Sequence, residues 1–334
     1  MKINRLARSG SALLAMSLAA TMTFTTGCAS SEGKTPETAA PVATTVSATV
    51  AAETKETSAT ETTSATTGVG YDSGVSLQLY EDFMKGNTTA TYHVGTDHAS
   101  YLTMPASLAD GTKLTLTDLQ DQIIKSCDMS LTMTETMTTN TIDCGMDGME
   151  EYLITIPFEG PEIFTLFVVL KNVDGELQIC YTTDQWSRNE VIIDKNGVIT
   201  TSGSGGAAIH ITTYAYLDAE GEYHFHYGVE ENYAPISLFA YINDDFTEIS
   251  FDDLAMDCIM VLTYWFEENT ATPKYVYSYR TVDEALNDIS EPTDYTDSNP
   301  VFKKFLEYGI TPLSMEEMDQ LIADHGKEIQ YPAE

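Results

Sequence analysis

Three glycine-closed turns, Val173-Asp174-Gly175, Lys195-Asn196-Gly197 and Ala219-Glu220-Gly221, stand 22 and 24 positions apart. Between them lie runs rich in Val, Ile, Thr, Tyr and Phe. A triplet ending in glycine suits a three-residue hairpin loop, whose last position takes a left-handed backbone. Strand and turn alternating in this way from about Met133 to Val229 predict an up-and-down antiparallel meander, with flanks too dissimilar for a true repeat. The run Ile163 to Leu170, IFTLFVVL, is apolar on both faces and is expected to be a central strand covered on both sides, with helices as one cover.

Helical signals flank the meander. SLQLYEDFMKG places Leu79, Tyr80, Phe83 and Met84 at helical spacing and stops at Gly86, while Thr117-Asp118-Leu119-Gln120 has the form of a capping box ahead of Ile123 and Ile124. Near the other end, Asn299-Pro300 opens a helix with Phe302, Phe305 and Leu306, and Ser314 to Glu317 is a capping box ahead of Met318, Leu321 and Ile322. Residues 251–267 are ambiguous: Leu254, Cys258, Val261 and Trp265 recur at helical spacing behind Ser250, yet the Ile, Val, Thr and aromatic content suits a strand. Helix is the expectation adopted. The fold class is α+β: a meander of successive hairpins with packing helices at both ends, forming one globular domain over residues 71–334.

The first 27 residues carry Lys2, Arg5 and Arg8 without an acid, then an apolar run from Ser11 to Phe24, which is the pattern of a signal peptide. The stretch ending in Gly27-Cys28 resembles a bacterial lipobox, although Thr25 stands where Leu is usual. That resemblance implies that Cys28 is lipidated and becomes the first residue, anchoring the chain to the outer face of the cell membrane. Residues 28–70 are rich in Thr, Ala and Ser and hold no aromatic, Leu, Ile or Met, so they cannot bury a core and are expected to be a disordered stalk. Such a coil spans on the order of 40 Å. Removal of the signal strips three cations and no acid, taking the net charge from −35 to −38. A surface of that sign repels nucleic acid and favours cationic or neutral ligands.

Candidate sites are few. Asp143, Asp147 and Glu151, with Gly148, resemble a calcium loop, but Gly145 occupies the place of the second acid, and calcium wants six to eight oxygens. A turn is the stronger expectation, calcium the weaker. Trp186 beside Arg188 can stack and hydrogen-bond a sugar or carboxylate, or pack at the core edge with the arginine paired to a neighbouring acid. In the hairpin closed by Ala219-Glu220-Gly221, Tyr216 is expected opposite His224 and Tyr214 opposite His226. That gives a core face of Ile211, Ala215, Leu217, Tyr223, Phe225, Tyr227 and Val229. The reverse face, with His210, Tyr214, Tyr216, His224 and His226, would be an open aromatic platform for a glycan or peptide. His210, expected opposite Glu230, is roughly 13 Å from His226, too far to share a zinc.

No nucleophile elbow, zinc-protease helix motif or phosphate loop is present, and the glycine-rich TSGSGGAA at residues 201–208 reads as a connection between hairpins. Cys127, Cys144, Cys180 and Cys258 read mainly as small buried hydrophobes, with a Cys127–Cys144 bridge as a lesser option. Taken together, the lipobox, stalk, degenerate DCGMDGMEE loop, VDGELQICYTTDQWSRNE segment and capped C-terminal helices resemble uncharacterised cell-surface lipoproteins of anaerobic Gram-positive bacteria. This implies location rather than mechanism. The expected function is a membrane-anchored, non-catalytic binding or envelope accessory protein, without a cofactor unless calcium. The alternatives are a cell-wall or glycan hydrolase using paired carboxylates such as Asp244 or Asp245 with another acid, and an interaction protein that docks a partner on its sheet.

Overall fold

The computed structural model describes residues 73–332 except 128, 135, 244, 269, 271 and 273, all within the second of two compact units, Gly68–Glu334. The signal segment, Cys28, the stalk and Asp244 lie outside the described residues.

The chain begins with α1 (Ser73–Met84), β1 (Ala90–Tyr92), β2 (Thr112–Leu114) and α2 (Leu116–Ser126). It continues through β3 (Thr132–Met133), β4 (Thr138–Ile142), β5 (Glu151–Glu159), β6 (Ile163–Val173) and β7 (Glu176–Gln185). These strands form a seven-stranded sheet in the order β2-β1-β7-β6-β5-β3, with β4 also on β5 and only the β1–β7 pair parallel. The meander then changes sheet at Trp186–Asn189. Strands β8 (Asn189–Ile193), β9 (Val198–Ser204), β10 (Ile209–Leu217) and β11 (Tyr223–Tyr233) run as hairpins into a second, six-stranded sheet. A separate hairpin, β12 (Ser237–Ile242) and β13 (Asp245–Ser250), intervenes before β14 (Ile259–Trp265) and β15 (Tyr275–Thr281) complete that sheet beside β11. Helices α3 (Pro300–Glu307) and α4 (Met315–Glu328) close the chain. The architecture is α+β.

Strand β6 is central, as its double-sided apolarity requires. Phe164, Leu166, Val168 and Leu170 pack with Tyr80 and Phe83 of α1 and Leu119 and Ile123 of α2. Val169, on the other face, packs with Leu153, Ile199, Ala215 and Leu217, so the second sheet covers that side. Each such side chain stabilises by about 1.5–3 kcal/mol when removed from water. Cys127 packs with the first cluster and Cys144 belongs to the second, which puts sheet one between them; all four described cysteines are free.

Several expectations are corrected. Residues 251–267 form turns and then strand β14, because Met260, Leu262 and Tyr264 pack towards α4 while Val261 packs towards α3; both faces are buried and a one-sided helix would waste half of them. Its last residue, Trp265, lies opposite Gly228, where a β-carbon would stand 2.1 Å from the indole ring. The cap of α2 is Thr115, whose hydroxyl accepts from the Asp118 amide while Asp118 accepts from Thr115 in return, two residues before the expected Thr117. The turn after β6 has two residues: Asp174 and Gly175 both take left-handed backbone, φ +52° and +87°, and Val173 pairs with Glu176. The other two glycine turns have three, since Asp194 pairs with Val198 and Asp218 with Glu222.

Candidate functional site

Loop residues 93–104 are pinned to β7 by two carboxylates. Asp184, buried on β7, accepts the amides of Ser100, Tyr101 and Leu102 at 2.7, 2.6 and 2.8 Å. Asp97 accepts the amides of Met104 and Ala99 and the Thr182 hydroxyl. The His98 amide donates to the Thr182 carbonyl at 2.8 Å. Seven donors thereby fix the short loop that presents His98, whose ring lies 5.1 Å from Tyr181 of β7 and 4.1 Å from Tyr223 of β11. Tyr181 and Tyr223 themselves stack at 5.6 Å.

The His98 and Tyr223 rings border a cleft of about 620 Å³ between the loop, β7 and the β10–β11 hairpin tip. His93, His98, Glu220, Glu222, Tyr223 and Glu268 are among its polar groups, beside Thr96 and Gln178. Burial lowers the pKa of His98, opposed by a hydrogen bond to the Gly95 backbone, and its Nε2 is buried with no hydrogen-bond partner among the described residues. The Tyr223 hydroxyl donates to Glu268 at 3.3 Å. Glu268 stands at the solvent edge by area, yet its crowded surroundings push its carboxyl above the usual range, more than the Tyr223 contact pulls it down. Burial likewise raises Tyr223, with the nearby Glu268 charge adding to it. Glu220, Glu222 and Glu268 form no ion pair among the described residues, whereas Glu151 and Glu176 do. The site thus joins aromatic faces with acids that form no ion pair among the described residues.

No protein-family model, curated protein or solved structure matches this chain.

The residues singled out in the sequence are distributed elsewhere. Tyr216 does face His224, rings 5.0 Å apart, but a β-bulge between Tyr214 and Ala215 leaves His226 as the extra residue, so that Tyr214 pairs with Tyr227 and His210 with Glu231. The bulge also splits the expected core face: Ala215, Leu217 and Tyr223 pack towards the first sheet, whereas Tyr227 and Val229 pack towards α4. The platform is not open. Tyr216 is 5% exposed and donates to the Ile329 carbonyl, and His226, also 5% exposed, reaches the Ile322 carbonyl at 3.1 Å, stacks on His325 and lies tilted against Tyr331. The last helix and the turn after it form the cover. Burial lowers the His226 pKa.

Trp186 borders a shallower pocket of about 360 Å³ with Glu162, Ile163, Thr165, Gln185 and Ser187, its ring edge-on to Tyr101 at 5.1 Å. Arg188 is exposed, does not line that pocket, and meets Ser204 Oγ at 3.5 Å rather than an acid. In the loop likened to a calcium site, Asp143 accepts the Gly148 amide at 3.1 Å and Asp147 the Met149 amide at 2.7 Å. Glu151, with no exposed surface, points inward to Lys171 and accepts the Cys144 amide at 2.8 Å. Gly145 is glycine for a packing reason: a β-carbon there would lie 2.4 Å from the Ala219 amide nitrogen on the hairpin tip. An acid could not stand at that position. At the same tip Asp218, Glu222 and His224 bring one ligand atom each within 4.8 Å of the others. Asp218 already accepts the Glu220 and Glu222 amides and meets His224 Nε2 at 2.6 Å, which accounts for the group as turn architecture.

Sequence reasoning missed His93, His98 and Glu268; Tyr223, expected on a core face, does pack on the first sheet and also lines the cleft. Its partners Tyr181 and Glu268 stand 42 and 45 positions away, and no local motif links them.

Proposed function

We propose that this chain is a lipid-anchored extracytoplasmic protein whose globular part is a non-catalytic binding module, with the cleft under the β10–β11 tip as its recognition site. One observation carries the assignment to that cleft. Glu220, Glu222 and Glu268 line it together with the Tyr223 and His98 rings and form no ion pair among the described residues, which leaves carboxylates and ring faces for a ligand to meet. The lipid anchor at Cys28 and the outer membrane face follow from the lipobox resemblance, and no helix among the described residues is long and apolar enough to cross a membrane.

The test is a thermal-shift panel of neutral sugars, short peptides and amines applied to the full chain, followed by the same panel on a His98→Phe, Glu268→Gln variant. One ligand class raises the melting temperature of the parent and leaves the variant unmoved. A flat response across the panel sinks the binding reading, and conversion of a bound glycan to shorter products moves the protein to the hydrolase alternative. Cys28→Ala, examined by cell fractionation, sends the protein to the medium; retention at the membrane places the anchor elsewhere.

A further inference from the structure

The joint between α4 and the second sheet is built on two imidazoles. His226 of β11 and His325 of α4 stack with their rings 5.6 Å apart and 16° from parallel. The helix comes this close because residue 326 is glycine, where a β-carbon would stand 3.2 Å from His226 Nε2. That Nε2 meets the Ile322 carbonyl, so it carries the proton of the neutral ring and Nδ1 is a bare lone pair. Nδ1 of His226 and Nδ1 of His325 are both buried with no hydrogen-bond partner among the described residues. Facing the pair are Tyr227, edge-on to His226 at 4.9 Å, Tyr331 at 4.1 Å, and Phe266, edge-on to His325 at 5.2 Å. The charged groups of the adjoining elements are engaged elsewhere: Asp218 meets His224 at 2.6 Å, Lys327 meets Asp324 at 2.8 Å, and Asp319 and Glu231 bear on Tyr264.

We infer that the two histidines form an acid-released clasp: protonating the pair loosens α4 and the turn after it from β10 and β11 and uncovers the aromatic face of Tyr216 and His226. A second proton on His226 creates an N–H at a buried position that no acceptor meets, and a charge on both stacked rings sets two cations against each other. Ring faces offset only part of the hydration that an imidazolium loses there. Opening the joint gives both rings back to water. Burial lowers the His226 pKa, the bond to Ile322 opposes this, and a charge on His325 lowers it further. A histidine with a lowered folded pKa contributes stability that is fully present above the ordinary histidine range and lost as pH falls through that range towards the folded value. The closed joint is therefore the neutral-pH form.

Hydrogen exchange of the full chain at about pH 7.5 and about pH 5, each corrected for the intrinsic exchange rate, tests it. In acid the α4 amides lose protection by about fivefold or more, while those of β5 and β6 change by less than about twofold. His98 also has a buried ring nitrogen, but it faces the first sheet, so its titration is read in residues 93–104 and not in α4. His226→Phe keeps a ring in the joint and removes the titrating group; α4 protection then no longer depends on pH, whatever its level at pH 7.5. His325→Phe leaves one imidazole of the pair and shrinks the acid loss. It decides the matter if His226→Phe does not fold. Protection of α4 that is independent of pH in the parent, or an acid loss kept in full in either variant, overturns the clasp. So does an acid loss spread equally over α4, β5 and β6, which is unfolding of the whole domain.

Discussion

Glu151 and Glu268 are both carboxylates that their surroundings push above the usual pKa range, but the fold treats them in opposite ways. Glu151 has no exposed surface; one oxygen meets Lys171, itself 7% exposed, and the other accepts the Cys144 amide. Glu268 stands at a solvent-filled cleft with a tyrosine hydroxyl at 3.3 Å and no cation among the described residues. A crowded acid with its counter-charge supplied holds structure together. A crowded acid without one is available to a ligand, and its raised pKa alone does not say which it is.

The largest expected effect comes from breaking the satisfied pair. Lys171→Met leaves a carboxylate buried without its cation and costs about 3–5 kcal/mol in urea unfolding. Replacing both partners by apolar residues, Lys171→Met with Glu151→Leu, recovers most of that loss, because the penalty belongs to the orphaned charge rather than to the pair. If the double variant is as unstable as the single one, the pair acts through something other than charge compensation.

Next in size is the covered aromatic face. Tyr216→Ser removes a buried ring that packs edge-on against Tyr331 at 5.7 Å and a hydroxyl bonded to Ile329, and costs about 2–4 kcal/mol. Hydrogen exchange resolves where: amides of α4 lose protection before those of β5 and β6, since the tyrosine joins the last helix to the second sheet and not to the first. Uniform loss of protection argues that the two sheets unfold as one unit.

How far the sequence could be read follows from the same contrast. The glycine turns, the double-sided IFTLFVVL run and the two C-terminal caps are local patterns, and the structure has hairpins, a central strand and capped helices where they predict them. The helix expected over 251–267 went wrong because its apolar residues recur on every face; burial between α3 and α4 is a tertiary circumstance that periodicity alone does not separate from a helix. Of the platform expected from Tyr214, Tyr216, His224 and His226, only the Tyr216–His224 pair forms, and Tyr216 and His226 are buried, since a bulge shifts the register and the returning C-terminal helix covers those two. The cleft was illegible. Its His98, Tyr181, Tyr223 and Glu268 meet only through the packing of one sheet on another.

For Glu268 the stability effect is small and the ligand effect large. Glu268→Gln changes unfolding by about 0.5 kcal/mol or less, as for a surface substitution. Acid separates the two properties further. A carboxyl whose folded pKa is raised contributes stability that is fully present below the unfolded pKa and lost as pH rises through the folded one, so acidification costs no stability through this group. Affinity for a cation at this carboxylate moves the other way, falling as pH drops through that raised value, because the protonated acid no longer attracts it. Calorimetry with a cationic probe between about pH 4 and 7 reads it, and an affinity that holds down to the ordinary carboxylate range places the cation on another acid.

The smallest expected effect is that of calcium on the loop from Asp143 to Glu151. Of its three acids, Asp143 and Asp147 accept backbone amides within the turn, and Glu151 is turned inward to Lys171. Two exposed carboxylates supply too few of the oxygens that calcium takes, and the packing of Ala219 on Gly145 forbids a third at the missing position. A ligand stabilises only as the logarithm of its concentration over the dissociation constant, so at about 1 mM calcium and an affinity no better than about 10 mM the gain is under about 0.1 kcal/mol. For a domain of this size that moves the melting temperature by well under about 1 °C. A rise of several degrees that disappears in Asp147→Ala would show that the loop reorganises to expose Glu151. Lys171 would then lose its counter-charge on calcium binding, and the distinction drawn between the partnered and the unpartnered acid would describe only the calcium-free protein.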